Sequence, residues 1–207
     1  SCAIAYLGRG KRCMTLNLKD PRAGGIVRKL IGEYDIVIEQ FRPGVMAKLG
    51  LDYESLKTTH PSLIYCSLTG YGQTGPMRNR AGHDINYLAR AGVAACSGRK
   101  ETGPCLCGVQ IADVASGSNH AVIGILAAVV HRHRTGEGQY VDVSMTDGAV
   151  AFNALFAAAY LVDGSENCCG EGVLNGGSLY DFYETRDGKY LSVGGLEPQF
   201  FSAFCEA

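Results

Sequence analysis

Three ionisable residues stand where loops give way to helices, and their types suit proton or acyl transfer. His83 lies in Ala81-Gly82-His83-Asp84-Ile85-Asn86-Tyr87, between a glycine-rich loop and a helix start, ground on which function concentrates. Asp84 or Asn86 acting as a helix cap accounts for the same cluster without chemistry. Asp113 precedes the small-residue stretch Val114-Ala115-Ser116-Gly117-Ser118 and then a long apolar run. A carboxylate there is either a plain first-turn residue or a reactive group beside free N–H groups able to hold an oxyanion. Glu197 follows Gly194-Gly195-Leu196 and precedes Pro198, where an acidic residue also serves the helix dipole. His131 and His133, in His131-Arg132-His133-Arg134, fit a solvated helix C-terminus.

Two further patterns invite chemistry and fall short of it. Gly70-Tyr71-Gly72-Gln73-Thr74-Gly75 matches G-x-G-x-x-G and follows a strand pattern. A dinucleotide site also needs a helix opening at the third glycine, to hold the pyrophosphate. Here Pro76 and Arg78-Asn79-Arg80 follow, so the stretch reads as a glycine-rich loop near an active site. The nine cysteines are scattered and odd in number, with no C-x-x-C pair, which argues against a disulfide framework or a zinc site. Cys66 in a strand and Cys205 on a helix suit small buried hydrophobes. A reduced, cytoplasmic setting is the expectation.

The elements that position these residues follow from pattern. Arg12–Leu18 reads as a strand, and Asp20-Pro21 opens a helix to about Glu33 as N-cap and first-turn proline. Residues 35–39 are a short buried strand; Pro43–Leu49 and Asp52–Thr58 are short helices; Ser62–Leu68 is the next strand. Strand and helix alternating at these spacings give βαβ units and a parallel sheet covered by helices. After the loop Gly70–Gly82 come a helix from Asp84 to Arg90 and an irregular stretch, Cys96–Ile111. A long helix, Ala115–Arg134, a strand, Gln139–Met145, and a helix apolar all round, Asp147–Leu161, follow; the last must be buried in a core or an interface. Asp163–Ser178 is glycine-rich and marks a boundary. Beyond it Tyr180–Thr185 and Tyr190–Val193 form a hairpin with an Asp-Gly turn, and Glu197-Pro198 opens a final helix. The expected organisation is a large domain over 1–165 and the start of a small α+β domain over 166–207.

Composition limits the class. Of 207 residues 46% are hydrophobic, enough for a real core, which excludes a disordered chain. A formal net charge of −1 argues against a nucleic-acid binder, which normally shows a basic face. The apolar runs Ala121–Val130 and Gly148–Val162 are too short to span a bilayer. The chain starts Ser1-Cys2-Ala3 and ends Phe204-Cys205-Glu206-Ala207 within a helical pattern, so a piece of a longer protein, lacking parts of both domains, is expected.

Several segments, taken in order, carry a resemblance. They are Phe41-Arg42-Pro43-Gly44, Leu63-Ile64-Tyr65, Gly70–Pro76, Gly82-His83-Asp84-Ile85-Asn86-Tyr87, Thr135-Gly136-Glu137-Gly138-Gln139 and Leu196-Glu197-Pro198-Gln199-Phe200. With these the chain resembles the class III CoA-transferases (CaiB/BaiF type), and within them the α-methylacyl-CoA racemases. The likeness runs from about Gly8 to Ala207. It implies a Rossmann-like large domain and a small domain, in an interlocked homodimer with the active site at a domain interface. It implies an acyl-CoA thioester substrate, no metal, and no cofactor beyond the coenzyme A of the substrate; no nucleic acid or membrane partner is expected. By position, His83 and Asp113 match the catalytic histidine and aspartate, and Glu197 the glutamate that supports the histidine. Leu16, Asn17, Leu18, Lys19, Gln40, Phe41, Arg42, Lys48, Gly82, Asp84, Ile85, Asn86 and Tyr87 fall where relatives contact CoA. Lys48 stands where an arginine is common, which keeps charge but gives up a bidentate phosphate grip.

The residue types fit the chemistry. Racemising a 2-methylacyl-CoA removes a weakly acidic α-proton and returns one to the opposite face, which needs two acid/base groups. A histidine and an aspartate fill both roles if burial moves their pKa values together, with Glu197 orienting His83. The chain departs from the racemases at Ala115-Ser116-Gly117-Ser118, where they carry a run of glycines, and at Asn175-Gly176-Gly177-Ser178-Leu179, where they carry Asp-Gly-Gly-Ala-Pro. In the transferases the matching aspartate is a nucleophile, so Asp113 serves either reaction. A non-catalytic CoA-binding fragment is the third alternative.

Overall fold

The structure, a computed structural model, describes residues 2–166 and 168–206. Its centre is a three-stranded parallel sheet in the order β1 (Ile36–Glu39), β2 (Ile64–Thr69), β5 (Tyr140–Ser144). Ile36 pairs with Ile64, and Tyr65 with Tyr140. The middle strand alternates between two cores, as a period-2 element buried on both faces must. Ile64 and Cys66 pack on Ala121, Ile125 and Ala128 of helix α6 (His120–Thr135). Leu63 and Tyr65 face Ile31 of α2 (Ala23–Ile31) and Leu56 of α4 (Tyr53–Lys57), with Met46 of α3 (Val45–Lys48) beside them. Close approach is built in: a Cβ on Gly138 would lie 2.0 Å from the Leu63 carbonyl oxygen, and one on Gly124 of α6 2.7 Å from Val141 of β5.

The mixed α/β class with a parallel sheet is as the spacing predicts, and helix α5 runs over Asp84–Arg90 as expected. Several local expectations are corrected. Arg12–Leu18 is not a strand, because no described segment pairs with it; helix α1 (Cys2–Gly8) precedes it instead. Asp20 does not cap α2: its carboxylate folds onto the backbone N–H and guanidinium of Arg22, and the helix opens later, at Ala23. The long helix starts earlier than its apolar run, as a π-helical segment over Ala112–Asn119 that leads into α6.

That continuous Ala112–Thr135 helix is, by length and composition, long and apolar enough to cross a membrane, which the isolated apolar runs did not reveal. Its inner face packs on the sheet. The apolar helix expected over Asp147–Leu161 is two helices, α7 (Met145–Phe152) and α8 (Ala154–Asp163), bent by 71°. Asn153 makes the break by donating its amide to the Ala91 carbonyl while its own carbonyl accepts from Ala157 N–H. Helix α8 has no buried residue, and Leu161 and Val162 are 82% and 86% exposed, so it lies outside the core. Cys66 is buried as expected, whereas Cys205 is exposed.

After α5 a 3-10 turn (Val93–Cys96) leads to a two-residue ribbon, β3 (Gly98–Arg99) with β4 (Gly103–Pro104). Beyond residue 168 the hairpin β6 (Asp181–Glu184) with β7 (Tyr190–Val193) forms as predicted, and α9 (Pro198–Glu206) follows Glu197. This last region is tied back by a two-pronged ion pair of Arg99 with Asp181 and by the Cys169 thiol on the Ala95 and Ser97 carbonyls.

Candidate active site

Parallel strands deliver their carboxyl ends to one edge of the sheet, the usual place for a ligand in an open α/β fold. Gln40–Arg42 leave β1 there, and the stretch from Gly70 to His83 leaves β2. The glycine loop opens no helix at Gly75; the next helix begins at Asp84, so no dinucleotide cradle forms. Instead the loop is held down by β5 and the start of α7. The Asp142 carboxylate accepts the Gln73 N–H, and Thr146 donates both N–H and hydroxyl to the Gly70 carbonyl. Burial pushes the Asp142 carboxyl above the usual range, and the Gln73 bond pulls against it.

His83 sits at the N-cap of α5 with both its flanks anchored. Its N–H donates to Asn86 Oδ1 at 3.0 Å, and the Tyr87 hydroxyl donates to the Gly82 carbonyl at 2.6 Å. The Tyr87 ring lies edge-on to Tyr71, with centroids 5.2 Å apart. A Cβ on Gly82 would come within 2.7 Å of that ring, which is why the residue before His83 is a glycine. Asp84 is neither solvent-facing nor a cap: its Oδ1 accepts the main-chain N–H of Asp113 at 2.9 Å.

Asp113 lies in the first turn of the π-helical segment, a form that recurs at functional sites. His83, Asp84 and Asp113 line one cavity of about 460 Å³, together with Gln110 and apolar walls including Ile85, Leu88 and Leu106. Burial, and then the charge of Asp84, raise the Asp113 carboxyl above its ordinary value, while His83 opposes them. This is the environment of a carboxyl able to give as well as take a proton. The oxyanion expectation needs revision in detail. The N–H of Asp113 goes to Asp84 and that of Val114 to the Gln110 carbonyl, so the two amides nearest the carboxylate already have acceptors.

The structure brings His83 and Asp113 together and leaves Glu197 apart. Glu197 is exposed at the start of α9, and its carbonyl accepts the N–H groups of Phe200 and Phe201; it does not line the His83 cavity. Of the residues matched to CoA contacts, Asp84, Asn86 and Tyr87 spend their polar groups on internal hydrogen bonds. Ile85 is half-exposed in the cavity wall. Leu16 leads into a turn over Asn17–Asp20, in which the Asn17 carbonyl accepts the Asp20 N–H and Asn17 Oδ1 accepts the Lys19 N–H. Gln40 and Phe41 follow β1, with the Phe41 N–H on the Glu39 carboxylate. Arg42 lines a second cavity beside Tyr53, Tyr65 and Tyr140, and Lys48 ends α3 exposed.

Sequence reasoning missed Cys105, Cys107 and Gln110 as cavity wall; a polar residue just ahead of the helix that carries Asp113 was the available signal. Among the described residues no three His, Cys, Asp or Glu side chains gather as a metal-ligand set.

An α/β fold of this kind has solved counterparts. A crystal structure of a CaiB/BaiF family protein from Brucella suis superposes with a TM-score of 0.79 at 36% identity, covering 89% of this chain and 48% of that one. The family model of CoA-transferase family III matches residues 1–207, and the chain belongs to that family. Human alpha-methylacyl-CoA racemase is 40% identical over 199 residues, 96% of this chain and 52% of the relative. Mouse succinyl-CoA:glutarate CoA-transferase is 36% identical over 201 residues, 97% of this chain and 45% of the relative. The chain thus spans about half the length of the curated relatives it matches. Family members of both kinds are enzymes.

Proposed function

We propose that this chain carries the catalytic centre of an acyl-CoA racemase or epimerase that inverts the α-carbon of 2-methylacyl-CoA thioesters. The observation that carries the reading is the shared cavity of His83 and Asp113, with the Asp113 carboxyl held above its ordinary pKa. One of the two takes the α-proton, leaving an enolate of the thioester; the other returns a proton to the opposite face. The likeness to the human racemase supports the choice. As proposed, the reaction requires no group beyond the CoA of its substrate. Lys19, Arg42 and Lys48 supply positive charge for its phosphates.

The residues before about 165 form the large CoA-binding domain in this reading, and those after it begin the small one. A second copy of the chain completes the assembly as an interlocked dimer. The exposed apolar side chains Val122, Ile123, Leu126 and Val130 on α6, and Leu155, Leu161 and Val162 on α8, support such an interface. Glu197, remote from His83 within the chain, then acts on the site only through the complete assembly.

CoA transfer is the second reading, favoured by the likeness to succinyl-CoA:glutarate CoA-transferase and by Ala115-Ser116-Gly117 in place of a glycine run. There the Asp113 carboxylate attacks a thioester carbonyl and expels the CoA thiolate, giving a mixed anhydride. The deciding experiment incubates the protein at its full natural length with (S)-2-methylacyl-CoA in D₂O and follows the α-proton by NMR. Exchange that disappears in Asp113→Asn supports racemisation. No exchange, with hydroxylamine trapping an acyl-enzyme, moves the function to transfer. Neither result would leave a non-catalytic fragment.

A further inference from the structure

An apolar cavity of about 450 Å³ lies between the β3–β4 ribbon and the β6–β7 hairpin. Cys105 stands in its wall and also in the wall of the His83–Asp113 cavity, so the two spaces adjoin. We propose that this cavity receives the acyl tail of the thioester, and that the Arg99–Asp181 ion pair makes it select an uncharged tail over one ending in a carboxylate. The proposal rests on the acyl-CoA reading above and adds the class of acyl group.

Leu174, Tyr180, Phe182 and Val193 give the cavity its apolar wall. Burying methylenes against such a wall is favourable in proportion to area. Charge decides the rest. Among the described residues Arg99 is the one basic residue in this wall, and no lysine or arginine lines the His83–Asp113 cavity. Both terminal nitrogens of Arg99 already donate to the Asp181 carboxylate, Nη1 to Oδ2 at 2.6 Å. Asp181 also accepts the Phe182 N–H at 2.6 Å, which fixes it in place. A carboxylate at the end of an acyl chain would therefore lose water, meet the charge of Asp181 and find no free lysine or arginine among the described residues of either wall. A hydrocarbon tail meets none of these costs. Asp181 is thus a specificity-determining residue that acts by occupying Arg99.

Calorimetric titration of the protein at its full natural length with free CoA, octanoyl-CoA and glutaryl-CoA tests the proposal without relying on turnover. Octanoyl-CoA is expected to bind at least about tenfold more tightly than CoA, at roughly fourfold per buried methylene. Glutaryl-CoA should bind no more tightly than CoA. Asp181→Asn, which releases Arg99, should tighten glutaryl-CoA by about tenfold through a charge-assisted hydrogen bond. Leu174→Lys, which adds a cation to the same wall with the ion pair intact, should do likewise if Asp181→Asn does not fold. Leu174→Asp should erase most of the octanoyl advantage. Tight glutaryl-CoA binding by the unaltered protein, or an octanoyl advantage untouched by Leu174→Asp, overturns the proposal. CoA binding with no gain from the octanoyl tail overturns the acyl cavity alone. No CoA binding overturns the acyl-CoA reading beneath it as well.

Discussion

Asp84 Oδ1 accepts the main-chain N–H of Asp113 at 2.9 Å, so the first turn of α5 holds the first turn of the π-helical segment. Two residues that lie apart in sequence thereby become one unit with His83 between loop and helix. The same carboxylate works in two ways, as a hydrogen-bond acceptor and as a negative charge that raises the Asp113 pKa.

Asp84→Asn separates those two effects. The amide oxygen still accepts the Asp113 N–H, but the charge is gone, so the Asp113 pKa falls towards the level set by burial and the opposing His83. The acid limb of the pH–rate profile should move to lower pH, with the thermal midpoint little changed. Asp84→Ala removes the acceptor too and should cost about 1–3 kcal/mol of stability for the stranded N–H, read by denaturant titration.

Asp113→Asn should reduce turnover by about 10² to 10⁴, the usual worth of a positioned acid/base group. Its stability should move the other way. A carboxyl whose native pKa is raised contributes most below its unfolded value and loses that contribution as pH climbs through the native value. At neutral pH the ionised Asp113 is therefore a cost, kept small by solvent screening. Melting curves should show the variant equal or slightly more stable at pH 7, with the gain vanishing near pH ~4.

Lys48→Ala should raise KM for CoA esters several-fold and leave kcat nearly unchanged, the signature of lost uniform binding. Lys48→Arg should lower KM by restoring a planar fork for phosphate. Steady-state kinetics in which neither variant moves KM would remove Lys48 from the phosphate site.

Gly70→Ala tests the packing behind the site. Its Cβ would lie 2.4 Å from three atoms of Tyr87, the ring that also fixes the Gly82 carbonyl before His83. Overpacking of this kind costs about 1–3 kcal/mol. Denaturant titration should show that loss, and activity should fall with it because His83 moves.

Val122→Glu combined with Leu126→Glu places two charges on one exposed stripe of α6. If a second copy covers that stripe, sedimentation of the protein at its full natural length should change from dimer to monomer. Circular dichroism should be unaltered, since neither side chain belongs to the core.

Much of this was legible in the residues. The helix over Asp84–Arg90 was readable because its signals are local: an extended His83, a polar cap three residues on, and an apolar face. The hairpin around Asp187-Gly188 was readable because only glycine takes the φ of +74° found there without strain. Arg12–Leu18 misled because an alternating pattern makes a strand only where a neighbour supplies hydrogen bonds. The Asp147–Leu161 run misled because its break depends on Asn153 finding the Ala91 carbonyl, 62 residues away.

By itself, then, the sequence determined the α/β class and the family motifs and singled out His83 and Asp113 as candidates, all matters of residue type and short-range spacing. Only the tertiary structure decided that Asp84 anchors Asp113, that Glu197 stands apart from His83 within the chain, and that Asp181 silences Arg99. The two contacts join residues 29 and 82 positions apart. No local pattern encodes contacts at such separations; they exist because tertiary packing closes the loops between them.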